Sequence, residues 1–214
     1  MKLASLVAFK LLNGYLWIRY RLSFYKIEID TTEIELKIDS GLPVLFIANH
    51  ASWWDGFFVY EVFKKLKIEK EFRIVMLESE LKKFPFFRLC GAVGLIPKNL
   101  KHNNEVFDQL KGHCVAFFPQ GQMVPQNQRP LILKNGITGL IQRLHPLQII
   151  LVTLHIEPFQ FMKPTVLIKA GSLIKSCNEK VDSVSLAQLL ETQLDDVSLR
   201  WTSQLYLKKD DLWK

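Results

Sequence analysis

Cysteine is scarce in this chain, which contains only Cys90, Cys114 and Cys177 among its 214 residues. No two of them have the spacing of a zinc-binding or redox motif. An odd number of cysteines without a signal sequence favours reduced thiols in a cytosolic setting. The composition therefore excludes a disulfide-stapled scaffold, and we expect no metal site.

A long uninterrupted apolar run is also missing. Residues 1–18 are strongly apolar, but Lys2 and Lys10 interrupt them and the stretch is too short to predict a transmembrane span. It has no Ala-x-Ala cleavage pattern, so we expect no signal peptide. We expect a helix that lies in a bilayer interface, with residues 17–21 at the level of the head groups. The alternative, to which we give equal weight, is a helix buried in the core.

The chain contains no internal repeat, no low-complexity segment and no Gly/Ser linker, so it predicts one domain. We place an N-terminal apolar interfacial helix at residues 1–25 and a single α/β domain at residues 26–214. Predicted strands alternate with predicted helices, which favours a mainly parallel central sheet flanked by helices. Residues 27–39 alternate in polarity and predict an edge hairpin or strand pair.

The net charge is +7, yet the basic residues form no dense tract and no nucleic-acid-binding motif occurs. The charge therefore indicates an anionic partner other than nucleic acid, such as an anionic lipid surface, or simply solubilises the protein. Hydrophobic residues make up 49% of the chain, and the mean hydropathy is slightly positive. This composition suits a protein that leans on a membrane.

His50 and Asp55 stand at the end of an apolar run, residues 44–48, which predicts a buried strand. Asp55 follows His50 with four residues between, at the start of a predicted helix. A histidine can take and return a proton near neutral pH, and a neighbouring carboxylate fixes its tautomer. The pattern predicts a general base, although alone it is weak, because a histidine at a strand end more often caps a loop.

Four blocks of the chain resemble motifs of the glycerolipid acyltransferase family, the 1-acylglycerol-3-phosphate acyltransferases and their relatives. Residues 49–55 match the first motif, NHxSxxD. The other blocks are residues 84–99, residues 118–123 with their continuation at 133–137, and residues 146–152, and they occur in the family's order. The resemblance covers roughly residues 40–155 and implies an acyltransferase-like α/β fold. It also implies transfer of a fatty acyl group from acyl-CoA or acyl carrier protein to a lipid hydroxyl.

The resemblance departs from the family at the positions associated with a phosphorylated acceptor. Gln120 replaces a glutamate, Met123 replaces an arginine, and Leu100 stands where the second block would end in arginine, with Lys98 and Lys101 beside it. A guanidinium binds phosphate through a planar fork, which lysine and methionine lack. We therefore expect an acceptor without a phosphomonoester, such as a lyso-lipid with another head group or a glycosylated or aromatic lipid.

The resemblance and the chemistry of the residues together assign roles. His50 is the predicted general base and Asp55 orients it, while the amide of Gln120 or Gly121 is a candidate oxyanion donor. We favour a helix-capping role for the Ser52 hydroxyl, and Lys98 and Lys134 are candidate anion contacts. The predicted substrate-binding residues are Asn49, Ser52, Lys98, Pro119, Gln120, Gly121 and Lys134.

Two alternatives stay open beside this hypothesis. One is a true 1-acylglycerol-3-phosphate acyltransferase in which lysines replace the missing arginines. The other is a non-catalytic lipid-binding relative that keeps the fold. We expect no cofactor beyond the acyl donor, and membrane lipids and acyl carrier protein as partners. We expect the protein on the cytoplasmic face of a membrane, either peripheral or monotopic.

Overall fold

Helices and strands alternate along the chain in the computed structural model, which describes residues 3–34, 37–39, 41–158, 161–175 and 182–207. The helices are α1 (Leu3–Ser23), α2 (Asp55–Lys65), α3 (Glu78–Lys83), α4 (Phe86–Leu89), α5 (Leu100–Gln109), α6 (Gly136–Leu144) and α7 (Ser183–Leu207). The strands are β1 (Lys26–Asp30), β2 (Val44–Ala48), β3 (Phe72–Leu77), β4 (Ala92–Leu95), β5 (Cys114–Phe117), β6 (Gln148–Glu157) and β7 (Thr165–Lys175).

The seven strands form one sheet in the order β1-β7-β6-β2-β5-β3-β4. The five strands from β6 to β4 are mutually parallel, and the remaining two, β7 and β1, run in the opposite direction. The predicted mainly parallel sheet is therefore confirmed. Because the five parallel strands end at the same edge, the loops that follow β2, β5, β3 and β4 lie side by side there.

Strand β2 is buried on both faces, which explains its unbroken apolar sequence. Phe46 belongs to a core beneath α1 and α2, and its neighbours Leu45 and Ile47 belong to a second core beneath α5, α6 and α7. Helices thus pack on both faces of the strand that leads into the loop containing His50.

The predicted hairpin at residues 27–39 is wrong. Among the described residues of this stretch, only β1 forms a strand, and it pairs in parallel with β7. Asp30 ends the strand, because its carboxylate accepts hydrogen bonds from the backbone and the hydroxyl of Thr32. Ile34 is buried in the core, so its apolar character serves packing and not a second strand. Leu36, which contributed to the prediction, lies outside the described residues.

Helix α1 packs on the core through one face, formed by Ala8, Leu12 and Leu16. Phe9 and Tyr20 are partly buried against the same core, and eight further large apolar side chains of the helix are exposed: Leu3, Leu6, Val7, Leu11, Tyr15, Trp17, Ile18 and Leu22. Among the described residues, no helix is both long and apolar enough to cross a bilayer. The structure thus shows the core packing that was one of the two expectations, and contact of the exposed face with a membrane interface stays a prediction.

Gly91 fixes the chain reversal between α4 and β4. Its φ is +84°, and a Cβ atom there would lie 2.5 Å from the carbonyl oxygen of Phe72. We predict that Gly91→Ala lowers the free energy of unfolding by at least about 2 kcal/mol, because it adds left-handed strain to a backbone clash. Urea denaturation followed by circular dichroism measures this change.

The matched control is Gly139→Ala in α6, where a Cβ atom meets nothing within 4 Å. Alanine restricts the unfolded chain and suits a helix, so this variant should be more stable than the wild type by about 0.5–1 kcal/mol. Equal unfolding midpoints for the two variants would contradict this account of Gly91.

Candidate active site

The structure brings His50 and Asp55 into direct contact. His50 directly follows the short Asn49 extension of β2, and Asp55 is the first residue of α2. The Nδ1 atom of His50 lies 2.8 Å from Oδ2 of Asp55. The carboxyl ends of β2 and its neighbours surround this loop, where open parallel sheets place their ligand sites.

The Asp55 carboxylate is fully buried and saturated with hydrogen bonds. Its Oδ2 atom accepts from the backbone amides of Ala51, at 2.7 Å, and Ser52, at 2.8 Å, and Oδ1 accepts from the Ser52 hydroxyl at 2.5 Å. Such donors are what a buried carboxylate needs to stay ionised. An ionised Asp55 can only accept, so Nδ1 of His50 carries the proton and Nε2 presents the lone pair.

The Nε2 atom of His50 has no hydrogen-bond partner within the described residues, and 25% of the side chain is exposed. The imidazole lies against the ring of Phe118, with 4.6 Å between the ring centroids. The imidazole is thus held in one tautomer. Its ring packs against Phe118 and remains partly exposed to solvent. This arrangement can accept a proton from a hydroxyl group.

The side chains of Ser52 and Asn49 form hydrogen bonds within the protein that stabilise the loop between β2 and α2. The Ser52 hydroxyl donates to Asp55 and accepts from the Trp54 amide at 3.2 Å, as expected of a helix-entry residue. Asn49 is buried, and its side-chain amide donates to the carbonyl of Leu154 and accepts from its N–H. Because Asn49 uses its amide to extend the pairing of β2 with β6, we assign it a structural role in place of the predicted substrate contact.

The turn at Pro119–Gly121 holds the backbone of His50. The buried side chain of Gln120 accepts from the His50 amide through Oε1 at 2.6 Å. A few residues later, the Val124 amide donates to the His50 carbonyl at 2.9 Å. Gln120 is therefore a positioning residue for the histidine, and no local sequence pattern indicates this role because the two residues are 70 positions apart.

Gly121 and Lys134 are in close contact at this turn. Gly121 has a φ of +69°, and a Cβ atom there would lie 2.7 Å from Nζ of Lys134. The Lys134 backbone also donates to the Pro119 carbonyl at 2.8 Å. The Gly121 amide donates to Phe118, so it is not free for an oxyanion. The backbone amide of Gln120 forms no hydrogen bond within the described residues, so it stays the candidate donor to an oxyanion.

Lys98 does not join this group. It lies in an exposed turn after β4, with a φ of +64°. Three strand spacings separate β4 from β2 in the sheet, which amounts to roughly 14 Å. Lys134 is thus the predicted anion contact that the fold places beside the histidine loop.

The loop that follows Gly121 forms one wall of a small cleft beside His50, which Val124, Pro125 and Gln126 line, and contacts with helix α7 hold this loop in place. Arg129 forms an ion pair with Asp195 of α7, and the Leu131 amide donates to Glu191 of the same helix. The side chain of Gln126 joins the loop to the backbone of Ile156 in β6. None of these contacts has a local sequence signal, because each joins residues at least 30 positions apart.

Helix α7 in turn is fixed to the sheet by polar contacts. The Gln193 amide donates to the carbonyls of Leu151 and Lys169, and the Lys169 ammonium lies 3.1 Å from Asp196. The loop wall, the helix and strands β6 and β7 therefore form one connected support.

A second histidine with a carboxylate partner lies on the neighbouring strand. His155, on β6, has its Nε2 atom 3.3 Å from Glu157. Burial lowers the pKa of His155, against the opposing effect of the Glu157 carboxylate. Its side chain is about nine-tenths enclosed, so we assign it to packing. Within the described residues, no cluster of three or more metal-ligating side chains is present.

Comparison with known proteins agrees with this fold. The model of the acyltransferase family matches residues 29–157, more than half of the chain. The crystal structure of the 1-acyl-sn-glycerophosphate (LPA) acyltransferase PlsC from Thermotoga maritima is similar to this structure with a TM-score of 0.53. That similarity covers 82% of this chain and 72% of that one at 16% identity, so it concerns the fold alone. A search of the curated proteins finds no match.

The family match runs from the last two residues of β1 to the end of β6 and includes both the histidine loop and the turn that holds it. The chain therefore belongs to the acyltransferase family and is an acyltransferase enzyme.

Proposed function

We propose that this enzyme moves a fatty acyl group from an acyl thioester, either acyl-CoA or acyl carrier protein, to a hydroxyl group of a lipid, with His50 as general base. The observation that carries the proposal is the contact between Nδ1 of His50 and the buried Asp55 carboxylate, which leaves Nε2 unpaired at an accessible edge. A lipid hydroxyl within about 3 Å of Nε2 would meet the geometric requirement for proton transfer.

The chemistry then follows from the positions of these groups. The acceptor hydroxyl gives its proton to Nε2 while its oxygen attacks the thioester carbonyl. Asp55 stabilises the imidazolium through the Nδ1 hydrogen, and the free Gln120 amide is the candidate donor to the oxyanion. When the tetrahedral intermediate collapses, the C–S bond breaks and the imidazolium protonates the thiolate. The products are an ester and a free thiol, and no acyl-enzyme is needed.

We propose further that the acceptor lacks a phosphomonoester. The turn beside His50 presents a neutral Gln120 and an exposed Met123. Lys134 is a point charge there and offers no bidentate fork for a phosphate. The close approach of Lys134 to Gly121 favours the competing hypothesis, a 1-acylglycerol-3-phosphate acyltransferase in which one lysine serves the phosphate.

The membrane part of the proposal rests on α1. Eight large apolar side chains of this helix are exposed on a protein whose proposed acceptor resides in a bilayer. A helix with such a surface can lie in the interface plane, and we propose a peripheral or monotopic position on the cytoplasmic face of the membrane.

We predict that His50→Ala lowers kcat by roughly a hundred- to ten-thousand-fold, because the alanine variant has no general base. The variant should remain folded, because the Asp55 carboxylate keeps its hydrogen bonds from Ala51 and Ser52, and thermal unfolding checks this. Release of free thiol from an acyl thioester in the presence of a lyso-lipid measures the rate.

The matched control is His145→Ala, an exposed histidine at the end of α6 that should leave the rate unchanged. Wild-type turnover by the His50→Ala variant would sink the assignment of the base. A wild-type protein that binds lipid vesicles but transfers no acyl group would instead be the non-catalytic relative.

We predict that lysophosphatidate is a poorer acceptor than a lyso-lipid with a phosphodiester head group, judged by kcat/KM with one acyl donor. Met123→Arg adds a guanidinium at the turn and should raise kcat/KM for lysophosphatidate by roughly tenfold, through a charge-assisted hydrogen bond. Met123→Leu, which adds no charge, is the control. If lysophosphatidate is the best acceptor of the wild type, the acceptor hypothesis is wrong, although acyl transfer itself stands.

A further inference from the structure

Trp53 lies between His50 and Asp55 in the catalytic loop. Its side chain contributes neither to the hydrogen bonds around the Asp55 carboxylate nor to those that hold the His50 backbone. It is 45% exposed. Its ring lies 5.1 Å from the ring of Phe84 and 6.1 Å from that of Phe87. The loop that contains the base is therefore joined by aromatic packing to the segment formed by α3 and α4.

That segment presents further apolar side chains to the outside. Phe84, Phe86 and Leu89 are 41%, 38% and 48% exposed. We call them, together with Trp53, the motif-side patch. Exposed single apolar residues are common on proteins, but four on adjacent elements beside a catalytic loop make a contiguous surface.

The patch continues onto the outer face of α1. The Ser5 hydroxyl of α1 donates to the carbonyl of Leu89 at 2.8 Å, so the N-terminal end of the helix lies against α4. The exposed apolar face of α1 then extends over its 21 residues, about 30 Å of helix. The apolar face of α1 and the motif-side patch thus lie on the same side of the sheet. The core beneath them on that side also contains residues of α2.

Basic residues predominate around this surface, and the two acidic residues of α3, Glu78 and Glu80, are paired with Arg88 and Lys83. Residues 1–27 contain five basic residues and no acidic one. Lys10, Arg19 and Arg21 are exposed on α1, and Lys82 is exposed on α3 beside Phe84. An extended apolar face with a cationic border matches a bilayer that carries anionic head groups. A protein partner would need both a large apolar face and acidic groups, and a bilayer of this kind supplies both at once.

We propose that the motif-side patch is a second membrane contact, in addition to α1, that inserts into the acyl-chain boundary of an anionic bilayer directly beside His50. This inference rests on the membrane-bound acyl transfer proposed above and names the surface that serves it. With Trp53 at the bilayer, the hydroxyl group of a membrane lipid reaches the basic nitrogen without a long path through water.

Vesicle flotation of the full chain tests the proposal without any turnover. In vesicles of phosphatidylcholine and phosphatidylglycerol, Phe84→Ser/Phe86→Ser should lower the partition coefficient roughly tenfold or more, because two aromatic side chains no longer leave water. The matched control is Val184→Ser/Leu189→Ser, which changes two exposed apolar residues on α7 in the opposite layer and should float like the wild type. Equal flotation of all three proteins would overturn the proposal.

A second variant keeps the test sharp if the double serine variant unfolds. Phe86→Trp retains the apolar bulk and adds a fluorophore at the patch. Its emission should lose a larger fraction to brominated phosphatidylcholine in the vesicles than that of the wild type. No additional quenching would overturn the proposal, and so would a patch variant that changes only self-association in the absence of lipid.

Failure of the proposed function is distinguishable from failure of this inference. Transfer between a short-chain thioester and a short-chain acceptor, both below their micellar concentrations, does not require a bilayer, so Phe86→Ser alone, which leaves the contact between Phe84 and Trp53 in place, should retain wild-type rates there. If the wild type transfers no acyl group but the flotation difference holds, the membrane surface is supported and the enzymatic proposal fails.

Discussion

The buried carboxylate of Asp55 is the constraint on which the site depends. A fully buried carboxylate is unfavourable unless its oxygens are hydrogen-bonded, and here every donor comes from three consecutive residues of the loop after β2: His50, Ala51 and Ser52. The same contacts therefore shape the turn between β2 and α2, start the helix with a negative charge and fix the imidazole. Loop geometry and the tautomer of the histidine are consequences of one interaction.

The remaining contacts hold this loop against the sheet from two sides. Asn49 attaches it to β6, and Gln120 and Val124 attach the His50 backbone to the segment that follows β5. Because β5 and β6 flank β2, the histidine is held between its two neighbours in the sheet. A histidine fixed in this way keeps its direction while substrates enter and leave, which is the preorganisation that its proposed role as general base requires.

The local parts of this arrangement could be predicted from the sequence, and the distant ones could not. The apolar run of β2 and the spacing of His50 and Asp55 are short-range patterns, so they predicted the strand and the pair of residues that the structure brings together. Gln120 looked like a substrate contact, because nothing in the sequence shows that its oxygen accepts from an amide 70 residues away. Lys98 looked equivalent to Lys134 until the strand order separated them. The hairpin predicted at residues 27–39 failed because a local pattern does not show long-range packing. Ile34 fits the alternation of a strand but is buried in the core.

Helix α7, in the C-terminal part of the chain, stabilises the loop that lines the cleft beside His50. Asp195 and Glu191 hold the wall of the cleft, and Gln193 and Asp196 hold the helix to β6 and β7. Undocking of α7 would therefore release the wall as well, so that both open as a single cooperative unit of partial unfolding. The local stability of a surface helix more than 130 residues away in sequence thus sets how often His50, the proposed general base, loses its enclosure.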